Sequence, residues 1–472
     1  MSRCLSFAVL VIGVVAVGCS QAQAPPAKTV GAESGPKLVA ANDKASAPTS
    51  DTVSTAKPSE NSAGGQVHEQ LPTEKIVKAA EPAPTEEVLL GTADLTHGIP
   101  GKGPVKNDEL KKWLDDPKNM KPLKPTLPMG LAMGSGQIAG LDKNPLTRAK
   151  IELGRQLYFD TRLSKDNSVS CASCHSPEFG YAKNTQFGVG TKGQTGKRNS
   201  PVAYNRILSS VQFWDGRAAT LEEQAKGPIA NPIEMSNTHD VCVSCLGNVE
   251  GYKIEFDKVF PGEGINIDNI AKAIASFERA LVTGPSPWDY FYAYNTFQKA
   301  YKEDLDDLDG LKKDDPAMYQ KYIELKKAAD DHPVSESTQR GGELFFGKAG
   351  CTACHVGANF TDELYHNLGV GMDAKEPDLG RYEITKDEKD KGRFKTPTIR
   401  NVELTAPYMH DGSQKTLEEV VEWYNKGGHP NAWLDEKVKP LNLSEQEKKD
   451  LVAFMKALTG PLPEVESGRL PE

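Results

Sequence analysis

Two short segments of this chain carry a pair of cysteines followed directly by a histidine. They contain Cys171, Cys174 and His175 in the first case and Cys351, Cys354 and His355 in the second. Cysteines three positions apart can attach the vinyl groups of a haem as thioethers, and the adjacent histidine then lies under the iron as its ligand. A zinc site would need further Cys or His at short spacing, and a disulfide would not need the histidine. The repeated pattern therefore predicts two covalently bound c-type haems.

A third pair of cysteines lacks the histidine. Cys242 and Cys245 have the same spacing, but Leu246 follows them. Without an adjacent histidine a third haem is disfavoured, and a local disulfide or two free thiols remain as alternatives. The nearby His239 leaves a metal or haem role open.

The N-terminus predicts export. The apolar run from Leu5 to Gly18 has the length of a signal-peptide core and is too short for a comfortable membrane span. It ends in Ala-Val-Gly before Cys19, which resembles a bacterial lipoprotein cleavage site with Cys19 as the lipidated new N-terminus. An ordinary signal peptide is the alternative. Residues 1–19 are thus predicted to be a lipoprotein-type signal peptide, and the protein to be periplasmic and anchored to a bacterial membrane.

The elements that must position the haem motifs begin well after this leader. Residues 20–93 are rich in Ala, Pro, Ser, Thr, Lys and Glu and contain no aromatic residue. Such a segment buries too little apolar surface to offset its ordering entropy, so we expect a disordered linker. Residues 94–143 are rich in Gly and Pro, which predicts an irregular wrap with one short helix near residues 108–114.

The rest of the chain shows helical periodicity and a weak internal repeat. A helix from Pro145 to Phe159, with Asn144 as N-cap, precedes the first haem motif, and a helix from Ser335 to Phe346 precedes the second. Further helices are expected at residues 220–226, 267–281, 316–330, 417–425 and 444–458. The fold class is therefore mainly α, with two cytochrome-c-like haem domains, residues 144–333 and 334–472, and long loops. The net charge of −9 gives no indication of nucleic-acid binding.

Beyond the haem motifs, five segments resemble the bacterial di-haem cytochrome c peroxidase and MauG superfamily. In chain order they are NPLTRAKIELGRQLYFDTRLSKDNSVSCASCH, RNSPVAYN, FWDGRAATLEEQAKGPIANPIEM, FKTPTIRNVELTAPYMHDG and TLEEVVEWYNKGG. They lie between about residues 144 and 460. The order and length of these matches make the resemblance specific.

The resemblance implies that peroxide reacts at the haem on His175. Gln224 and Glu234 would line the open face of this haem. Breaking the O–O bond requires a proton to move between the two oxygens, which a carboxylate can do, while an amide can hold the bound peroxide by hydrogen bonds. Without the resemblance, Glu234 would be read as an exposed charge. Trp214 would lie between the haems and relay electrons, or serve only as a core aromatic.

The resemblance also implies one calcium ion between the haems. The matching ligands are the side chain of Asn199 and the backbone oxygens of Thr405 and Pro407, with Asn205 as a less favoured substitute for Asn199. Hard oxygen ligands of this kind suit Ca²⁺.

Two departures from the peroxidase pattern favour the MauG-like subgroup. Many of the peroxidases place a second histidine in the loop after the first haem motif, yet no histidine occurs here between His175 and His239. The N-terminal haem is therefore expected to be open and five-coordinate without reductive activation. The peroxidases also supply a Met as sixth ligand to the second haem where this chain has Tyr424. Met409 is the rival ligand, and a thioether would raise the haem potential whereas a Tyr oxygen would lower it.

Three functions follow from these expectations. The first is a peroxidase that reduces hydrogen peroxide with electrons from a small cytochrome c or cupredoxin. The second is a MauG-like enzyme that uses peroxide to oxidise residues of a partner protein. The third is a di-haem electron carrier, which Gln224, Glu234 and the missing histidine disfavour because a carrier gains nothing from an open iron. Family members are often dimers, so a homodimer is a further expectation.

Overall fold

The computed structural model describes residues 85–472, and this part of the chain is mainly α-helical, as predicted. The α-helices are α1 Ala93–Thr96, α2 Asn107–Leu114, α3 Pro117–Met120, α4 Arg148–Phe159, α5 Cys171–Cys174, α6 Leu221–Ala230, α7 His239–Leu246, α8 Glu250–Val259, α9 Ile267–Ala280, α10 Pro287–Ala300, α11 Lys302–Leu305, α12 Leu308–Asp314, α13 Pro316–Asp331, α14 Glu336–Phe346, α15 Tyr382–Thr385, α16 Leu417–Asn425 and α17 Glu445–Lys456. The strands are β1 Glu86–Leu89, β2 Leu123–Thr126, β3 Tyr365–His366 and β4 Phe394–Lys395, with β1 parallel to β2 and β3 antiparallel to β4.

Two helix pairs built in the same way confirm the internal repeat. Helix α4 packs along α9 in the first haem domain, and α14 packs along α17 in the second. A glycine lies at each contact: a Cβ on Gly154 would overlap the carbonyl group of Ala273, and a Cβ on Gly341 would overlap that of Asp450. Only glycine lets the two backbones approach this closely, so each half uses the same device to hold its helices together.

Each helix pair forms a core directly beneath a haem motif. In the first domain the rings of Tyr158 and Phe277 meet edge to face at 5.1 Å, and the Tyr158 hydroxyl donates to the carbonyl oxygen of His175 at 2.8 Å. In the second domain the rings of Phe345 and Phe454 lie 4.8 Å apart. A buried hydrogen bond of this kind contributes about 1 kcal/mol, so Tyr158 ties the first haem motif to its core.

Helices α10 to α13 connect the two haem domains, and the sequence predicted only the last of them. Helix α10 begins at a capping box in which the Ser286 backbone N–H donates to Asp289 at 2.8 Å, and Pro287 occupies its first turn. Its residues are largely aromatic, which lowers intrinsic helix propensity and weakens the sequence signal. Packing against α13 supplies the stability that propensity does not.

The predicted linker boundary at residue 93 is wrong. Strand β1 pairs with β2 from Glu86 onwards, and Val88 and Leu90 are buried. This short apolar stretch has a partner more than thirty residues away, which local composition does not reveal. The segment 94–143 also contains three short helices and a strand where one helix was expected. Helix α4 starts later than predicted, because Thr147 rather than Asn144 caps it by accepting from the Lys150 N–H at 3.1 Å.

The last residues return to the first haem domain, although the sequence assigned all of residues 334–472 to the second. The buried side chain of Arg155 donates to the carbonyl oxygens of Glu466 and Arg469, and Arg162 donates to that of Pro471 at 3.1 Å. The predicted signal peptide, the predicted lipid anchor at Cys19 and residues 20–84 of the predicted linker lie outside the described residues. Within residues 85–472, no helix combines the length and the apolar character that crossing a bilayer requires.

Candidate active site in two haem-binding cavities

The first cavity is built on His175. Helix α5 and the residue that follows it place Cys174 and His175 in the cavity wall. The His175 Nδ1 lies 2.8 Å from the carbonyl oxygen of Pro201, which leaves Nε2 free toward the cavity. Burial lowers the pKa of His175, so the imidazole is neutral. A neutral imidazole whose second nitrogen is held by a backbone carbonyl is the arrangement that iron-ligating histidines adopt.

Gln224 and Glu234, which the family resemblance places at the open face of the first haem, both line this cavity. Gln224 lies on α6, whose N-cap Thr220 accepts from the backbone N–H of Glu223 at 3.1 Å. Helix α6 ends at Ala230, and the following turn brings Glu234 back to the cavity. An amide and a carboxyl group therefore share a cavity with the predicted iron ligand.

Neighbouring groups hold the Glu234 carboxyl group in place and shift its pKa. Burial raises the pKa of Glu234, while Arg217 and a hydrogen bond from Asn231 Nδ2 at 2.7 Å oppose that shift. Thr191 donates from its backbone N–H to the Glu234 carbonyl oxygen at 2.8 Å. A Cβ on Gly190 would overlap the backbone of Ile233 and Glu234, so the loop that contains Gly190 packs directly on the turn that carries the carboxylate.

Apart from Cys174, which the haem motif would use for a thioether, the described residues that line the first cavity offer no second strong iron ligand. Among the described residues that line it, His175 is the only His, Lys, Met or Tyr. The loop after the first haem motif contributes Gly188, Gly190 and Gly196, none of which has a side chain that could reach an iron atom.

The second cavity is built on His355 and is larger, with about 2,070 Å³ of space including its open part against about 930 Å³ for the first. Cys351 and Cys354 line it beside His355. The His355 Nδ1 lies 3.0 Å from the Phe360 carbonyl oxygen, and burial lowers the pKa of the imidazole. This repeats the arrangement at His175, so both halves present a neutral histidine next to paired cysteines.

Both rival ligands reach this second cavity. Tyr424, on α16, and Met409, in the loop before it, line the cavity wall. Within residues 85–472 the Tyr424 hydroxyl makes no hydrogen bond, and burial raises its pKa. A hydroxyl without a partner in the wall of a haem cavity is available as a metal ligand. Met409 has a left-handed backbone, with φ of 71°.

Trp214 lies in the wall of both cavities. Its indole Nε1 donates to the Asn199 carbonyl oxygen at 2.9 Å, and the Asn199 N–H donates to the carbonyl oxygen of His410 at 2.7 Å. Lys395 donates from its N–H to the Trp214 carbonyl oxygen at 2.7 Å. These bonds tie the tryptophan to segments from both halves of the repeat.

The predicted calcium ligands lie near this junction. Asn199 lines both cavities, and Thr405 and Pro407 line the second. The Asn199 amide donates to the Gln186 carbonyl oxygen at 3.2 Å, while its side-chain oxygen accepts no hydrogen bond within the described part of the chain. Asn205 differs, because its side-chain oxygen accepts from the Thr283 N–H at 2.9 Å and is already satisfied.

Sequence reasoning missed several polar residues of the first cavity. Asn231 is the main hydrogen-bond partner of Glu234. Arg206 and Glu278 also line the cavity, where burial lowers the pKa of Arg206 and raises the pKa of Glu278 to about 7 against the opposing effect of Arg206. Asn231 could have been suspected from its position three residues before Glu234. Glu278 lies on α9, far along the chain, and no local signal indicates it.

Comparison with known proteins agrees with this geometry. Residues 148–296 match the family model for di-haem cytochrome c peroxidase, and residues 339–459 match the model for cytochrome c. The chain is 36% identical over 326 residues to cytochrome c551 peroxidase of Nitrosomonas europaea, covering 68% of this chain and 83% of that protein. It is also 36% identical to the methylamine utilization protein MauG of Methylorubrum extorquens, covering 67% and 79% of the two chains.

A solved structure shows the same fold. It is a MauG-like protein associated with microbial copper homeostasis, which is 29% identical with a TM-score of 0.57 and covers 68% of this chain and 92% of that one. The relatives include both peroxidases and MauG proteins. Membership of this family therefore establishes that the protein binds two haem c groups and uses hydrogen peroxide. The chain is therefore a peroxide-using oxidoreductase and belongs to the di-haem cytochrome c peroxidase and MauG family.

Proposed function

We propose that this protein is a peroxidase that reduces hydrogen peroxide at the open haem on His175 with electrons that enter at the haem on His355. The observation that carries the proposal is the pairing of Glu234 and Gln224 in a cavity whose only strong iron ligand, within the described residues, is His175. The haem iron supplies the electron-transfer chemistry when it is bound. An electron carrier would have no use for a buried carboxylate beside an open coordination position.

The residues of the chain would manage the protons. Glu234 as a carboxylate would accept a proton from one peroxide oxygen and return it to the other, which would leave as water. The Gln224 amide orients the peroxide by hydrogen bonding. The whole reaction consumes one peroxide, two protons and two electrons and releases two waters. Trp214, which borders both cavities, would carry the electrons between them.

The pH dependence of this step tests the role of Glu234. Only the carboxylate accepts a proton, so the rate falls as the pH drops through the pKa of Glu234, which burial places above its usual value. Asn231→Ala removes a hydrogen bond that stabilises the carboxylate, and should move this acid limb to higher pH. Rapid mixing with peroxide across a pH series measures the limb. The control is Asn248→Ala, which changes an exposed asparagine outside the first cavity. The same shift of the acid limb in both variants would count against Glu234.

A MauG-like reaction on a partner protein is the second candidate. Tyr424 supports it, because its unbonded hydroxyl faces the cavity of the second haem and a Tyr oxygen favours oxidised iron. Such an enzyme would keep its oxidising equivalents until a protein substrate arrives. Steady-state assays separate the candidates: rapid peroxide-dependent oxidation of a reduced small cytochrome c or cupredoxin supports the peroxidase, and oxidation of neither donor supports the MauG-like reaction.

A calcium ion between the haems is part of the proposal. The free side-chain oxygen of Asn199, near the segment of Thr405 and Pro407, fits a hard cation, and Asn205 is excluded by its own hydrogen bonds. Export to the periplasm, a lipid anchor at Cys19 and a homodimer also remain proposals.

A further inference from the structure

A second pair of cysteines lies outside both haem cavities. Cys242 and Cys245 are on helix α7, and no disulfide joins them in the structure. Neither lines the cavity of His175 or that of His355. The peroxide reaction proposed above does not use them.

Helix α7 places the two cysteines at a spacing that a disulfide can bridge. Residues three apart on a helix face the same side, and helical rise and radius place their Cα atoms roughly 5 Å apart. Disulfides span Cα distances of about 4.4–6.8 Å, so the bond needs only a small adjustment of the helix. The raised pKa of the Cys242 thiol, about 12, is due mainly to burial and secondly to Cys245, which agrees with this closeness.

The two sulfurs differ in access. Cys242 is fully buried, whereas Cys245 is partly exposed. The exposed sulfur is therefore suited to attack, and the buried one to resolve the product.

The helix is also connected to the haem site. The His239 ring Nε2 lies 3.0 Å from the carbonyl oxygen of Lys226, two residues after Gln224 on α6. Asn237, just before α7, donates to the Leu163 carbonyl oxygen at 2.9 Å.

We propose that Cys242 and Cys245 form a dithiol that hydrogen peroxide oxidises to a disulfide without help from the haems. The Cys245 thiolate attacks one peroxide oxygen, the O–O bond breaks, and the departing hydroxide takes a proton to become water. The Cys242 sulfur then attacks the Cys245 sulfenic acid, forming the S–S bond as a second water leaves. Two thiols lose two electrons and two protons, and one peroxide becomes two waters.

Mass spectrometry of the holoprotein tests this proposal. The protein is reduced, freed of reductant, exposed to hydrogen peroxide, quenched in acid, unfolded and alkylated. Trypsin releases one peptide, residues 227–253, that contains both cysteines and no other. We expect two alkyl groups before peroxide, and after it an unalkylated peptide lighter by two hydrogens. Two alkyl groups after excess peroxide would overturn the proposal.

Three variants sharpen the test. Cys242→Ser should leave a sulfenic acid on Cys245 that dimedone traps, and Cys245→Ser should leave Cys242 unoxidised. Oxidation of Cys242 alone at the same rate would contradict the assigned roles. Glu234→Gln should slow the haem reaction and leave disulfide formation unchanged. Disulfide formation that is lost with Glu234→Gln would instead make the haem the oxidant and overturn the independent dithiol.

Discussion

Glu234→Gln lowers the rate of reaction with hydrogen peroxide by about 10²–10⁴-fold, the range that a positioned general base contributes. Gln has the size of Glu and can keep a contact with Asn231, but it cannot accept the peroxide proton. The resting absorption spectrum should stay unchanged, because Glu234 does not hold the iron. Stopped-flow mixing of the ferric variant with peroxide measures the loss.

The matched control is Glu178→Gln. Glu178 is an exposed glutamate three residues after His175 and lies outside the first cavity. This variant should react with peroxide at the rate of the unmodified protein. An equal loss in both variants would show that general charge, rather than the carboxylate at position 234, governs the reaction.

Tyr424→Phe changes the second haem rather than the first. If the Tyr424 oxygen is the sixth ligand, its removal changes the spin-state signals of the haem on His355 and raises its midpoint potential. Axial ligands set haem potentials over a range of roughly 0.8 V, so a shift on the order of 0.1 V is expected. Electron paramagnetic resonance and a redox titration measure both effects.

Met409→Leu is the counterpart of this experiment. It removes the rival thioether from the same cavity and should leave the low-spin signal unchanged. The opposite pattern, with an unchanged signal in Tyr424→Phe and a changed one in Met409→Leu, would make Met409 the ligand. The second haem would then have a higher potential and suit ordinary electron entry.

The sequence predicted the parts of the fold that depend on local patterns. The helix predicted at residues 417–425 has these same bounds as α16, since its apolar face and its N-cap Thr416 are both local signals. The two c-type haems and the paired helices before their motifs were also predicted, although α4 begins at Arg148 rather than at Pro145. Glu234 and Gln224 were located through the family resemblance, because they are ten positions apart and no periodicity argument brings them to one cavity.

The features that the sequence missed depend on contacts between distant segments. Strand β1 is stable only because β2 pairs with it, and Arg155 holds the C-terminal residues against the first domain. Glu278 lies on α9 and lines the first cavity. The helical pattern of α9 predicts only that this position lies on the buried face of the helix, and it does not indicate the cavity. Side-chain partners such as Asn231 become evident once the turn after α6 is seen.

The two halves of the repeat share a framework and differ in their cavities. In both halves a neutral histidine has its Nδ1 near a backbone carbonyl oxygen. In both halves a glycine also allows two helices to pack closely. The first cavity adds Glu234 and Gln224 and no further strong ligand among the described residues, whereas the second adds Tyr424 and Met409. This asymmetry supports our proposal that peroxide reacts at the first haem and that the second stores electrons.

The openness of the first haem is tested most directly by adding one equivalent of hydrogen peroxide to the fully ferric protein with no electron donor present. We expect an immediate change in the absorption spectrum without prior reduction, because among the described residues no His, Lys, Met or Tyr other than His175 lines that cavity. A spectrum that stays unchanged until the protein has been half-reduced would contradict the open site.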